Sequence, residues 1–336
     1  MSALETMMPP VQYADFADIR LAYYETGPKR GTPVVFCHGF PELAFSWRHQ
    51  LKACAAAGRR AIAPDQRGYG LTSRPDAVEA YDIVHLTDDL TRLLDHLRIE
   101  KAVFCGHDWG GIVVWQMALL HPDRTAGVIG VNTPFMPRGQ ADPIAVMRER
   151  MGEEMYIVHF QRPGEADTAL AKDVGRTMDF FLRRPPAGMA EAGGAGAGFA
   201  TERKPGDPSI FPLVKVLEAW DPAFDPRERF LTDDERAAFV ETFQRTGFTG
   251  GINWYRNFTR NWRLGEGVEQ KVKVPALMVM AELDAVLPPS AADGMGAFVP
   301  DLEKALIKGS GHWTQQEKPE ETSRIILDWL AKRFPV

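Results

Sequence analysis

Apolar residues recur along this chain with two distinct periods. Short unbroken runs at residues 33–37, 61–63, 102–105 and 127–131 each end at a loop. Runs of that length without polar alternation suit strands buried on both faces, as in a parallel sheet. Residues 11–16 and 19–26 flank a turn at Ala17 and Asp18, which predicts an antiparallel hairpin at the sheet's edge. Between the runs the spacing changes to three and four. Ile83, Leu86, Leu90, Leu93, Leu94 and Leu97 make one apolar stripe and predict an amphipathic helix. A second helix is predicted over 47–57, stopped by Gly58, and a third over 110–120, ended before Pro122. The alternation resumes near the C-terminus, with strands over 276–280 and 304–307. A helix over 320–333 follows and turns Ile325, Ile326, Trp329 and Leu330 inward. Strand–helix alternation at both ends predicts an α/β fold with a mostly parallel central sheet flanked by helices.

The middle breaks the pattern. From 134 to 263 there is no convincing strand, and twelve of the nineteen Phe fall in this stretch, well under half the chain. A helical insertion over 134–263, within a core made of 1–133 and 264–336, accounts for both features. The small-residue tract 187–200 reads as a mobile loop inside it. Composition adds constraints. With 45% hydrophobic and 25% charged residues the 336-residue chain is ordinary globular material. A net charge of −6 without a basic block argues against nucleic acid or an anionic membrane as partner. Cys37, Cys54 and Cys105 cannot complete a disulfide framework and lack metal-ligand spacing; Cys37 and Cys105 read as small buried fillers, and Cys54 falls on a helix with no evident partner. The first twelve residues do not resemble a secretory signal, and no stretch approaches the ~18 apolar residues of a membrane span. The expectation is a soluble, cytoplasmic protein; oligomeric state is left open.

The strongest chemical signal is Gly106-His107-Asp108-Trp109-Gly110-Gly111, between a predicted strand and a predicted helix. It fits the G-x-nucleophile-x-G elbow, with Asp108 where many hydrolases have Ser. Such a turn strains its central residue, and its glycines let strand and helix approach closely. The plain alternative makes Asp108 an N-cap. A carboxylate nucleophile needs a displaceable electrophile at saturated carbon and then a base to hydrolyse the ester. His312 lies on a glycine-rich loop after the last strand and Asp284 after the preceding one, so nucleophile, acid and His follow the chain order of α/β-hydrolases. Asp284 is preferred to Glu282, which would still lie in the strand. An acid after the strand over 127–131 is excluded, since Asn132-Thr133 stands there. In His38-Gly39-Phe40-Pro41-Glu42, the backbone N–H of Phe40, with that of Trp109, would form the oxyanion hole. His38, His107 and the loop from Asp65 to Gly70 read as structural.

Together these motifs resemble the epoxide hydrolases of the α/β-hydrolase fold, close to the soluble epoxide hydrolase type, over nearly the whole chain. The resemblance makes the 134–263 insertion a lid and implies a pair of lid tyrosines that hold the epoxide oxygen. Tyr156, in Met155-Tyr156-Ile157-Val158-His159-Phe160-Gln161, fits the first motif by its Tyr, Phe and Gln frame. Tyr255, in Asn253-Trp254-Tyr255-Arg256-Asn257, fits the second closely. The implied reaction has Asp108 opening the ring to a hydroxyalkyl ester while Tyr156 and Tyr255 polarise the oxygen. Water activated by His312 and Asp284 then releases a vicinal diol. Water and a small hydrophobic epoxide would be the only reaction partners, with no metal or organic cofactor.

Two other readings share these residues. A dehalogenase uses the same elbow Asp but needs N–H donors for halide; Trp109 suits one, Phe40 stands where Asn commonly gives the other, and Trp220 is a candidate substitute. A non-catalytic ligand-binding protein of the same fold would show a damaged triad, whereas Asp108, Asp284 and His312 are all intact. Small terminal, aryl and lipid epoxides all fit the sequence.

Overall fold

The computed structural model describes residues 3–186 and 208–335, so the tract 187–200 lies outside the described residues. Its strands are β1 (Val11–Asp15), β2 (Arg20–Thr26), β3 (Val34–Cys37), β4 (Ala61–Pro64), β5 (Ala102–His107), β6 (Thr125–Val131), β7 (Arg183–Arg184), β8 (Glu228–Arg229), β9 (Ala276–Ala281) and β10 (Leu302–Ile307). Eight of them form one sheet in the order β1-β2-β4-β3-β5-β6-β9-β10. β1 and β2 pair antiparallel, as do β2 and β4; every other pairing within this sheet is parallel. The hairpin expected at the edge is β1–β2.

Parallel pairing needs a crossover between strands, and the helices that supply it cover the sheet. β6 shows how. Gly127 approaches Trp329 and Phe334, at the end of the helix Pro319–Arg333, while Gly130 lies against Trp115 of the helix Trp109–Leu120. Three residues apart on a strand means opposite faces, so the two helices sandwich the sheet. Helix Arg48–Ala56 packs on Pro319–Arg333, and Ile83–His96 packs on Trp109–Leu120. With both faces covered, all residues of β3, β4 and β5 are buried, which is why these strands read as unbroken apolar runs.

Between β6 and β9 the described chain is mainly helical, with the longest helix at Asp233–Thr246. The expectation of no strand here needs one amendment. β7 and β8 pair antiparallel over two residues each, with an ion pair of 2.8 Å between Arg184 and Glu228. Two residues are too few to leave a period in the sequence. Buried polar contacts tie the segment to a helix beside the sheet and to the loop after β4. Arg48 reaches Glu235 at 2.9 Å and Gln316 at 2.8 Å, while the Trp254 indole N–H donates to the Arg67 carbonyl at 3.0 Å. Glu235 also completes a capping box with Thr232.

Candidate active site

The chain goes from β3 out to β4 on one side and returns to β5 on the other, so the carboxyl ends of β3 and β5 mark a topological switch, the usual place for a ligand crevice. All three residues of the expected catalytic set come from loops at this rim: Asp108 after β5, Asp284 after β9, His312 after β10. Asp108 has φ 51° and ψ −121°, a strained conformation for a residue with a side chain. The turn is tight because β5, β3 and the following helix nearly touch. A Cβ on Gly106 would lie 2.1 Å from the Gly110 carbonyl oxygen, and one on Gly110 would lie 2.0 Å from that of Cys37.

The Asp108 side chain makes no capping hydrogen bond to its helix. Its Oδ1 instead accepts from the Phe40 N–H at 2.8 Å, and its Oδ2 stands 3.6 Å from His312 Nε2. Trp109 N–H, in the helix's first turn, is among the donors such a helix leaves without an intrahelical partner. The other ring nitrogen of His312, Nδ1, lies 2.8 Å from Asp284 Oδ2. Asp284 is fully buried and accepts three further hydrogen bonds, from Asn132 Nδ2 (2.7 Å) and from the N–H groups of Val286 (2.9 Å) and Leu287 (3.0 Å). Burial works to raise its pKa, but His312, Asn132 and the backbone donors prevail and hold the carboxyl well below its ordinary value. Burial likewise opposes the charged form of His312, yet Asp284 and Asp108 outweigh it and raise the imidazole pKa well above the usual one.

Several residues that position the His312 loop were not singled out by sequence. Glu317 accepts the N–H groups of Gly311 (2.8 Å) and Trp313 (2.9 Å), on either side of His312. Asn132, at φ 62°, donates to the Gly311 carbonyl at 3.2 Å as well as to Asp284. His107, read as structural, spans from Glu42 Oε2 (2.7 Å from Nδ1) to the His312 carbonyl oxygen (2.6 Å from Nε2). Both partners offer oxygens, so the ring bridges the Glu42 carboxylate and the His312 backbone. Burial raises the Glu42 pKa, but His107 and the Gly39 N–H overcome it and leave it lowered. The only sequence sign of this pair was an acidic residue beside an otherwise apolar Gly-Phe-Pro turn. His38 is structural as expected, with Nδ1 toward the Gly39 carbonyl (3.0 Å) and Nε2 accepting the Gln66 N–H (3.1 Å). Glu282 lies just past β9 rather than in it, and takes the Gly309 N–H at 2.9 Å.

Tyr156 opens the short helix Tyr156–His159, and Tyr255 lies in the helix Thr249–Arg256. Their ring centroids are 5.8 Å apart, and Gln161 binds the two helices by donating to the carbonyls of Ile157 and Tyr255, each at 2.9 Å. Both tyrosines line the cavities that meet Asp108. Burial first, and then the Asp108 charge, push both phenol pKa values far up, so they stay protonated throughout the neutral range. One cavity, about 320 Å³, also touches His312, Phe181 and Leu213; the other, about 240 Å³, touches Trp109, Ile112 and Met151. Trp220 lines neither. Its indole N–H donates to Asp225 at 2.6 Å, which removes it as a halide donor.

Comparison with known proteins agrees with this fold. The family model described as alpha/beta hydrolase fold matches residues 32–319. Epoxide hydrolase A of Mycobacterium tuberculosis is 42% identical over 328 residues, which cover 96% of this chain and 98% of that one. Bifunctional epoxide hydrolase 2 of Sus scrofa is 38% identical over 93% of this chain, which spans 53% of that longer protein. The crystal structure of Epoxide Hydrolase A from Mycobacterium thermoresistibile superposes with a TM-score of 0.83 at 39% identity, covering 96% of this chain and 98% of that one. No helix among the described residues is long and apolar enough to cross a membrane.

Proposed function

The chain belongs to the α/β-hydrolase fold family and is an epoxide hydrolase, and from that premise we propose that Asp108 is its nucleophile, with His312 and Asp284 as base and orienting acid. The observation that carries this assignment is the placement of the two Asp108 oxygens, one on the Phe40 N–H and the other facing His312 Nε2. The residues of the insertion, 134–263, act as a lid over a core of 1–133 and 264–336.

In the first step an Asp108 oxygen attacks one oxirane carbon and the C–O bond breaks. Tyr156 and Tyr255 hydrogen-bond the departing oxygen. Both phenols are still protonated as the ring opens and are stronger acids than the alcohol being formed, so either can pass a proton to the alkoxide, which imidazolium His312 then makes good. Esterification also removes the negative charge that stood 3.6 Å from His312 Nε2, so one of the two carboxylates that raised its pKa is gone. His312 thereby becomes a base at the stage that needs one. It takes a proton from water as that water attacks the Asp108 ester carbonyl. Phe40 and Trp109 N–H groups hold the oxyanion, and collapse frees the diol, restoring aspartate and imidazolium.

The substrate class is a small hydrophobic epoxide, with water as co-substrate, because most of the residues round Asp108 are apolar. Three buried free thiols suit a reducing, cytoplasmic setting. One turnover in heavy-oxygen water tests the mechanism. The first diol should carry only light oxygen, with the label in Asp108. Label in the first-turnover diol would exclude the ester route.

A further inference from the structure

A cavity of about 560 Å³, larger than either cavity at Asp108, is separate from the one holding His312 and touches none of Asp108, Tyr156, Tyr255 or His312. It lies between the helices Trp109–Leu120 and Phe258–Leu264 and the loop after β6, and it shares a wall with the 240 Å³ cavity through Trp109, Ile112, Met147 and Phe258. Its volume is in the ~300–1,000 Å³ range of small-molecule sites. Of the eight large apolar side chains exposed among the described residues, three line it: Val84 (38% exposed), Met136 (53%) and Leu264 (41%). An apolar surface left open to water in this way marks a binding site more often than a packing fault.

One charged side chain lines this chamber, Arg138. Its Nε donates to the Trp262 carbonyl at 2.7 Å, and its guanidinium carbon lies 4.5 Å from the Trp262 ring centroid. No ion pair among the described residues involves it, and no carboxylate lines the chamber. The guanidinium is thus fixed in place with its two terminal nitrogens uncommitted, beside an apolar hollow. A neutral hydrocarbon has no use for that group, and a small anion has none for the hollow.

We propose that this chamber is a second binding site, for an aliphatic chain with an anionic head, such as a medium- or long-chain carboxylate. The chain lies among Ile112, Leu120, Met147 and Phe258, and the head pairs with Arg138. The site is independent of ring opening at Asp108.

The test is calorimetric titration of the whole protein with dodecanoate and with dodecanol, in the presence of saturating 1-phenyl-1,2-ethanediol to occupy the catalytic cavity. Dodecanoate should bind at one equivalent. Arg138→Ala should weaken it at least about tenfold, as expected for loss of a charged hydrogen bond, and leave dodecanol within about twofold. Gln116→Trp, which fills the chamber from its helical wall, should weaken both ligands. Styrene oxide turnover should stay within about twofold in either variant. Displacement of dodecanoate by the diol would place it in the catalytic cavity and overturn the proposal. So would no binding at all, or affinity unchanged in either variant. Because binding is read without turnover, a failed epoxide mechanism would not mimic any of these results.

Discussion

At the residue scale, the site turns on charge at positions 108, 284 and 312. Asp108→Asn should lower kcat for diol formation by about 10⁴-fold or more, measured with styrene oxide, since the proposed ester forms on that carboxylate. His312→Gln should leave ring opening possible and stop ester hydrolysis, so intact-protein mass spectra should gain the mass of one substrate molecule. Replacing Tyr156 and Tyr255 together by Phe should slow ring opening by roughly 10²–10³-fold, with far less effect on ester breakdown; rapid-mixing fluorescence separates the phases. Linkage adds a pH dependence. His312 has a raised pKa, so its stabilising pairing is complete below the unfolded value of ~6.5 and is lost as pH rises through the folded one. Asp284 has a lowered pKa, so its contribution is present above ~3.9 and is lost as pH falls through its folded value. Urea midpoints should therefore decline on the alkaline side for the native chain and decline less for His312→Gln. The three charged groups were legible because elbow, acid and His follow a fixed chain order. Glu317, Glu42 and Asn132 were not, because their roles depend on backbone groups that only the folded loops bring near.

At the element scale, the helix Asp233–Thr246 carries two kinds of support. Thr232 caps its first turn, and Glu235 both completes the cap and neutralises buried Arg48. Thr232→Ala should cost about 1 kcal/mol, the usual worth of a cap. Glu235→Ala should cost more, roughly 3–5 kcal/mol, because it strands a buried guanidinium; denaturant melts of the two variants give the order. Strands buried on both faces were readable as apolar runs, and the helix over 83–96 as a stripe. β7 and β8 were not, since two-residue strands carry no period. Nor was the sheet order legible, because placing β4 outside β3 depends on how crossovers pack rather than on any local pattern.

At the scale of the whole molecule, Asp108 sits where two apolar cavities meet beneath the tyrosines. Epoxides with substituents on both carbons should therefore be accepted, one group on each side. Leu213→Trp, which fills the 320 Å³ side only, should lower kcat/KM for trans-β-methylstyrene oxide at least about tenfold more than for a small terminal epoxide. Competition assays with the two substrates read that ratio directly.

The alignment of the imidazole owes little to the Asp108 side chain. His107, Glu42, Glu317 and Asn132 hold the loop through its amides and carbonyls, and Asp284 aims the ring. A lineage, or a designer, that exchanges the side chain at 108 for a hydroxyl inherits the rest of the apparatus already trued, so a change of reaction type begins from one codon.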